Sequence, residues 1–152
     1  MLARRACDVK GTDLMSTCST TSPKRQENCR ILIVEDNTDA ANALALALQC
    51  QSHYVQTTRN GTEALTFAAS YRPHVVLIDI GLPGLDGLYV ARQLRSANPA
   101  LLLIAATGRS AQEDVRRSRE AGCDHHLVKP LDFGVVSEIL SDWKAQGGCD
   151  DA

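Results

Sequence analysis

Five side chains suited to phosphorus chemistry stand at the ends of short apolar runs in this 152-residue sequence. Glu35 and Asp36 follow Ile31-Leu32-Ile33-Val34, and Asp79 follows Val75-Val76-Leu77-Ile78. Thr107 ends the stretch that opens with Leu101-Leu102-Leu103-Ile104, and Lys129-Pro130 follows His125–Val128. Three carboxylates brought together repel one another unless a cation joins them. A hard divalent ion with oxygen ligands, Mg²⁺ above all, meets that need. A carboxylate beside such an ion and a fixed Lys can act as a nucleophile toward phosphorus. The metal and the ammonium offset charge on the transferred phosphoryl oxygens, and a Thr hydroxyl can hydrogen-bond one of them. The set therefore suits an aspartyl phosphate at Asp79, provided the fold gathers all five at one place.

The elements between these residues supply such a fold. Unbroken apolar runs suit strands buried on both faces, as in a parallel sheet. Two weaker candidates, His53–Thr57 and His125–Val128, have the mixed polarity of sheet edges. Helical stretches alternate with the runs: Ala40–Gln49, Thr62–Tyr71 before Pro73, Leu88–Ala97 before Pro99, and Ala111–Ala121 ending at Gly122. In the last helix Val136, Ile139, Leu140 and Trp143 repeat at i, i+3, i+4, i+7. Five β-α units predict an α/β fold, an open doubly wound parallel sheet with right-handed crossovers. Weak strands at the edges give the order 2-1-3-4-5. Ligands of such sheets bind at the carboxyl ends of the strands, where the five side chains would stand.

Residues 1–28 carry no strand or helix period and read as a disordered leader, with Met1 and Met15 both candidate starts. Residues 29–146 form the one domain, and 147–152 a short flexible tail. The formal net charge of −2 gives no electrostatic case for nucleic acid or an anionic membrane. No apolar segment reads as a signal peptide or a membrane span. Six cysteines, Cys7, Cys18, Cys29, Cys50, Cys123 and Cys149, form no CxxC pair, and no His stands at metal-ligand spacing from them. A disulfide framework is not expected in a chain with this much core, and a reducing cytoplasm fits best.

Ile-Leu-Ile-Val-Glu35-Asp36-Asn37, Asp79-Ile-Gly-Leu-Pro83-Gly-Leu-Asp-Gly87, Ala-Ala-Thr107-Gly and His-Leu-Val-Lys129-Pro130 resemble, in order, the four signatures of the response-regulator receiver family of bacterial two-component systems. The resemblance covers roughly Arg30 to Lys144, and its details are most similar to receivers associated with hybrid histidine kinases. It implies a flavodoxin-like (βα)5 fold with Asp79 as phosphoacceptor. Asp36 and Asp79 become the closer Mg²⁺ ligands, the Gly81 carbonyl supplies a third protein oxygen, and Glu35, where Asp is commoner, reaches the metal through water. Thr107 and Lys129 contact the phosphoryl group, and the Lys129-Pro130 bond is expected to be cis. Gly81 and Arg109 occupy positions that tune phosphoryl lifetime. His126 stands where the family places its switch aromatic, and Gly108 leaves the loop after Thr107 freer.

The function so implied is a phosphorelay receiver. A histidine kinase or histidine phosphotransfer protein donates to Asp79. The face of helix 4, strand 5 and helix 5 then binds a downstream protein or a second copy, with no direct nucleic acid or membrane contact. The domain catalyses only its own phosphorylation and dephosphorylation, and both a stand-alone receiver and one excised from a larger hybrid kinase fit the sequence. Two other readings compete. A haloacid-dehalogenase-type phosphatase needs a second Asp two residues after the nucleophile, where this chain has Gly81. A flavodoxin-like binding module needs a Ser/Thr-rich phosphate loop after strand one, where Glu35-Asp36 would repel phosphate. Adjacent residues of a strand face opposite ways, so His125-His126 is not expected to chelate one ion. The Arg116-Arg117-Arg119 run is either a solvated face or a partner surface.

Overall fold

The computed structural model describes residues 28–82, 84–108 and 112–149. The leader apart from Asn28, Pro83, Arg109 and the last three residues of the expected tail lie outside the described residues. The elements alternate: β1 (Arg30–Val34), α1 (Thr38–Gln49), β2 (Tyr54–Thr58), α2 (Gly61–Tyr71), β3 (Val75–Asp79), α3 (Gly87–Ala97), β4 (Leu102–Thr107), α4 (Gln112–Glu120), β5 (His125–Val128) and α5 (Phe133–Ala145). The five strands pair in parallel in the order β2-β1-β3-β4-β5, the order expected. The central strands β1, β3 and β4 are the apolar runs, and the edge strands carry the mixed residues.

Alternation along the central strands divides the core. Ile31, Ile33, Val75, Leu77, Leu102 and Ile104 pack against Ala41, Ala45 and Leu48 of α1 and Val136 and Leu140 of α5. Leu32, Val34, Val76, Ile78, Leu103 and Ala105 pack against Ala64 of α2 and Leu88, Val90 and Leu94 of α3. Asn37, Asn60, Asp86 and Asp132 cap α1, α2, α3 and α5, each side chain accepting a first-turn backbone N–H. In α4, Ser118 is the buried residue, and Arg116 pairs outward with Glu113 and Glu120.

Arg95 brackets the far side of the sheet. Its guanidinium donates to the carbonyls of Pro99, Leu101 and Gly122 and meets Asp124 Oδ2 at 2.7 Å. The same Asp124 oxygen accepts the Leu103 N–H, so α3, the start of β4 and the turn before β5 are tied at one point.

The cysteine expectation needs correction. Cys29, just before β1, is paired with Cys149, beyond α5, across 120 positions and with the Cα atoms 5.6 Å apart. The separation hides the pair from any local motif, because only the wound sheet brings the two ends of the domain side by side. The pairing removes the cysteine argument for a reducing compartment. Gly147–Cys149, expected in a loose tail, are held: Gly147 and Gly148 donate to the carbonyls of Lys144 and Trp143. Among the described residues Cys50 and Cys123 are free thiols, and burial pushes that of Cys123 up to about 12.

Candidate functional site

The strands end level at one rim. Ile78 is in register with Val34 on one side and Ala105 on the other, and Ala105 with His126. Glu35 and Asp79 therefore emerge beside each other, and both are buried. Gly87 makes the rim possible, since a Cβ there would lie 2.7 Å from Ile80 Cα and 2.8 Å from the Asp79 carbonyl oxygen. Its bare backbone lets the start of α3 close over the end of β3.

Lys129 reaches back over the sheet from beyond β5. Its Nζ lies 2.6 Å from Glu35 Oε1 and 2.7 Å from Asp79 Oδ2. The Lys129 backbone is fixed by donation to the Thr107 carbonyl at 2.7 Å, and the Lys129–Pro130 bond is cis. The remaining carboxylate oxygens are also held: Glu35 Oε2 accepts the Asn37 N–H at 3.2 Å, and Asp79 Oδ1 accepts the Gly81 N–H at 2.9 Å. Glu35, Asp36 and Asp79 each offer an oxygen within 4.8 Å of the others, close enough for one ion. Asp36 is exposed at the mouth of this cluster.

The electrostatics follow from one ammonium shared between two acids. Burial raises the Glu35 pKa above the ordinary carboxylate value, and Asp79 adds to that, against the hydrogen bonds from Lys129 and Asn37. Burial works against the Lys129 ammonium, but the hydrogen bonds and charges of Asp79 and Glu35 outweigh it and raise its pKa. The surplus negative charge leaves room for a cation. An all-oxygen set of three carboxylates suits a hard divalent ion.

A cleft of about 590 Å³ runs from Glu35, Asp79 and Lys129 along α1 to Leu131 and Phe133, walled by Ala40, Leu44 and Ala47. It couples the charged rim to an apolar surface.

Of the residues singled out by sequence, Glu35, Asp36, Asp79 and Lys129 are brought together. Thr107 ends β4 beside them, one position beyond the pairing of Asp79 with Ala106. Gly81 is at the rim through its N–H. Arg109 lies outside the described residues. His126 points to α4, with Nδ1 2.9 Å from Ser118 Oγ and Nε2 buried with no hydrogen-bond partner among the described residues. Sequence reasoning missed the roles of Ser118, Gly87 and the Asn37 amide. The i, i+3 spacing of Val115 and Ser118 marks the inner face of α4 and could have pointed to Ser118.

These features define an α/β protein with a parallel sheet and an acidic, Lys-bridged pocket at its carboxyl edge. The chain belongs to the response regulator receiver domain family, whose model matches residues 31–141. Response regulator MprA of Mycolicibacterium vanbaalenii is 35% identical over 116 residues, 76% of this chain and 49% of that protein. MprA of Mycobacterium avium is 34% identical over 116 residues, 76% of this chain and 50% of that protein. The chain thus spans about half the length of the curated relatives it matches. Among solved structures, the co-crystal of the Saccharomyces cerevisiae histidine phosphotransfer signaling protein Ypd1 with the receiver domain of its downstream response regulator Ssk1 contains a chain with TM-score 0.75 and 25% identity. That match covers 82% of this chain and 94% of the other. A CheY-like response regulator receiver domain protein from Methanospirillum hungatei matches with TM-score 0.73 and 25% identity, over 79% and 97% of the two chains. Among the described residues, no helix is long and apolar enough to cross a membrane.

Proposed function

We propose that Asp79 accepts a phosphoryl group, in a Mg²⁺-dependent step, from the phosphohistidine of a histidine kinase or histidine phosphotransfer protein, as in relays fed by hybrid histidine kinases. The observation that carries this reading is the Lys129 ammonium, 2.7 Å from Asp79 Oδ2 and 2.6 Å from Glu35 Oε1, beside three carboxylates within one ion's reach. Asp36, Asp79 and the Gly81 carbonyl would hold the ion. Glu35, already engaged by Lys129 and Asn37, would reach it through water. The ion supplies neutralising charge for the phosphoryl oxygens. An Asp79 carboxylate oxygen forms the new bond to phosphorus as the phosphorus–nitrogen bond of the donor breaks. Lys129 exchanges its carboxylate partner for a phosphoryl oxygen, and the Thr107 hydroxyl donates to another.

The apolar cleft along α1 gives a donor helix a surface that ends at Asp79. Added charge at Asp79 biases a two-state equilibrium of Thr107, α4 and β5, with His126 as the reporting side chain. The α4, β5 and α5 face, where Val128 and Val135 are exposed, then binds a downstream protein or a second copy. Gly81 and Arg109 tune how long the phosphoryl group stays. The domain is not a turnover enzyme, since its chemistry acts on its own carboxylate. It works in the cytoplasm, where donors charged from ATP are made. Incubation with acetyl phosphate and Mg²⁺ followed by intact mass tests the core claim. The expected result is a gain of one phosphoryl group that Asp79→Asn abolishes. No gain from acetyl phosphate or any histidine kinase defeats the reading.

A further inference from the structure

The Cys29–Cys149 pair lies at the end of the sheet away from Asp79, and its surroundings are built. Cys29 is fully buried, with its N–H donating to His53 Nδ1 at 3.2 Å and its carbonyl accepting the Tyr54 N–H at 3.0 Å. The backbone of Cys29 is therefore fixed at both its N–H and its carbonyl by the start of β2. Cys149 is half-buried, on a short segment that returns over the last turn of α5. Gln146 and Gly148 both donate to the Trp143 carbonyl, and a Cβ at position 148 would overlap the Trp143 ring. The segment thus lies flat on Trp143 because Gly148 has no side chain. Its helix-ending hydrogen bonds carry Cys149 toward Cys29, and a Cα separation of 5.6 Å is the usual disulfide spacing.

We propose that Cys29 and Cys149 form a reversible thiol-controlled latch that fastens residues 146–149 over Trp143 and ties the end of α5 to the start of β1. Cys149 is the more exposed residue of the two and so the one a small thiolate reaches first. A small thiolate of the glutathione class attacks Cys149 Sγ, forming a mixed disulfide as the Cys29–Cys149 bond breaks, and Cys29 leaves as a thiolate that takes up a proton. A second small thiolate attacks the small-molecule sulfur of the mixed disulfide and releases Cys149. One protein disulfide and two small thiols become one protein dithiol and one small disulfide. The latch acts on α5 roughly 20 Å along β1 from the acidic rim, taking about 3.3 Å per strand residue. It therefore offers control of that helix separate from Asp79.

Trp143 is the one tryptophan of the chain and reports directly on the latch. The full chain is equilibrated in oxidised or reduced glutathione, alkylated and peptide-mapped, with emission and melting recorded on parallel samples. In the oxidised buffer the Cys29 and Cys149 peptides are linked. On reduction the Trp143 emission shifts to the red and the melting temperature falls by roughly 10 °C, as expected for opening a long loop. Cys149→Ser shows the reduced values in both buffers. Alkylation of both cysteines in the oxidised buffer overturns the proposal. So does a linked protein whose emission and melting match those of Cys149→Ser.

Discussion

Lys129 Nζ stands 2.7 Å from Oδ2 of Asp79, a residue fifty positions earlier in the chain. The ammonium sits where a phosphoryl oxygen would otherwise meet only carboxylates. In Lys129→Met that charge is lost while Glu35, Asp36 and Asp79 remain. Removing one fixed charge from the transferred oxygens slows labelling by acetyl phosphate about 100-fold. Divalent-ion binding, followed by titration, persists or tightens because the acids lose their competing cation. An unchanged labelling rate would remove Lys129 from the reaction.

A Cβ at Gly87 would collide with the backbone of Asp79 and Ile80, so Gly87→Ala forces α3 away from the end of β3. Overpacking against backbone costs about 2 kcal/mol. Urea denaturation should show that loss, and acetyl phosphate labelling should slow because Asp79 moves. A variant as stable as the parent would show that α3 closes without needing Gly87.

Arg95 holds three carbonyls and Asp124, so Arg95→Ala leaves several acceptors at the far side of the sheet without their donor. Partial exposure weakens each bond, and the sum is a loss of about 2 kcal/mol by urea denaturation. Arg116→Ala removes only exposed pairs on α4 and leaves the midpoint unchanged.

His53 gives stability a pH dependence. Its pKa is lowered from 6.5, first by burial and then by Lys144, and its Nδ1 accepts the Cys29 N–H. Below 6.5 the unfolded chain binds a proton that the folded chain resists. The contribution of His53 is therefore fully present above 6.5 and is lost as pH falls through the lower folded pKa. Denaturation midpoints measured from pH 8 down to 5 should decline, and His53→Gln should flatten that decline. Parallel curves for the two proteins would refute the assignment.

Much of this molecule is legible along the chain. The runs Ile31–Val34 and Val75–Ile78 need burial on both faces, so they become central strands of a parallel sheet. Glu35, Asp36 and Asp79 then lie at the carboxyl rim by position alone. The edge strand at Tyr54 begins one residue later than expected, because Tyr54 and not His53 pairs with Arg30. β4 ends at Thr107 as expected, since Ala105 and Ala106 continue the ladder that begins at Leu102.

Pairings between distant residues are less legible. The sequence by itself determined the order of elements, the sheet topology and which residue types stand at its rim, because strand and helix periods are local and their burial is collective. Only the tertiary structure decided that Lys129 bridges Glu35 and Asp79, that His126 turns to Ser118, that Arg95 ties two loops together and that Cys29 meets Cys149. Each of those contacts depends on where two separately formed elements come to rest, and no spacing along the chain encodes a distance across the sheet.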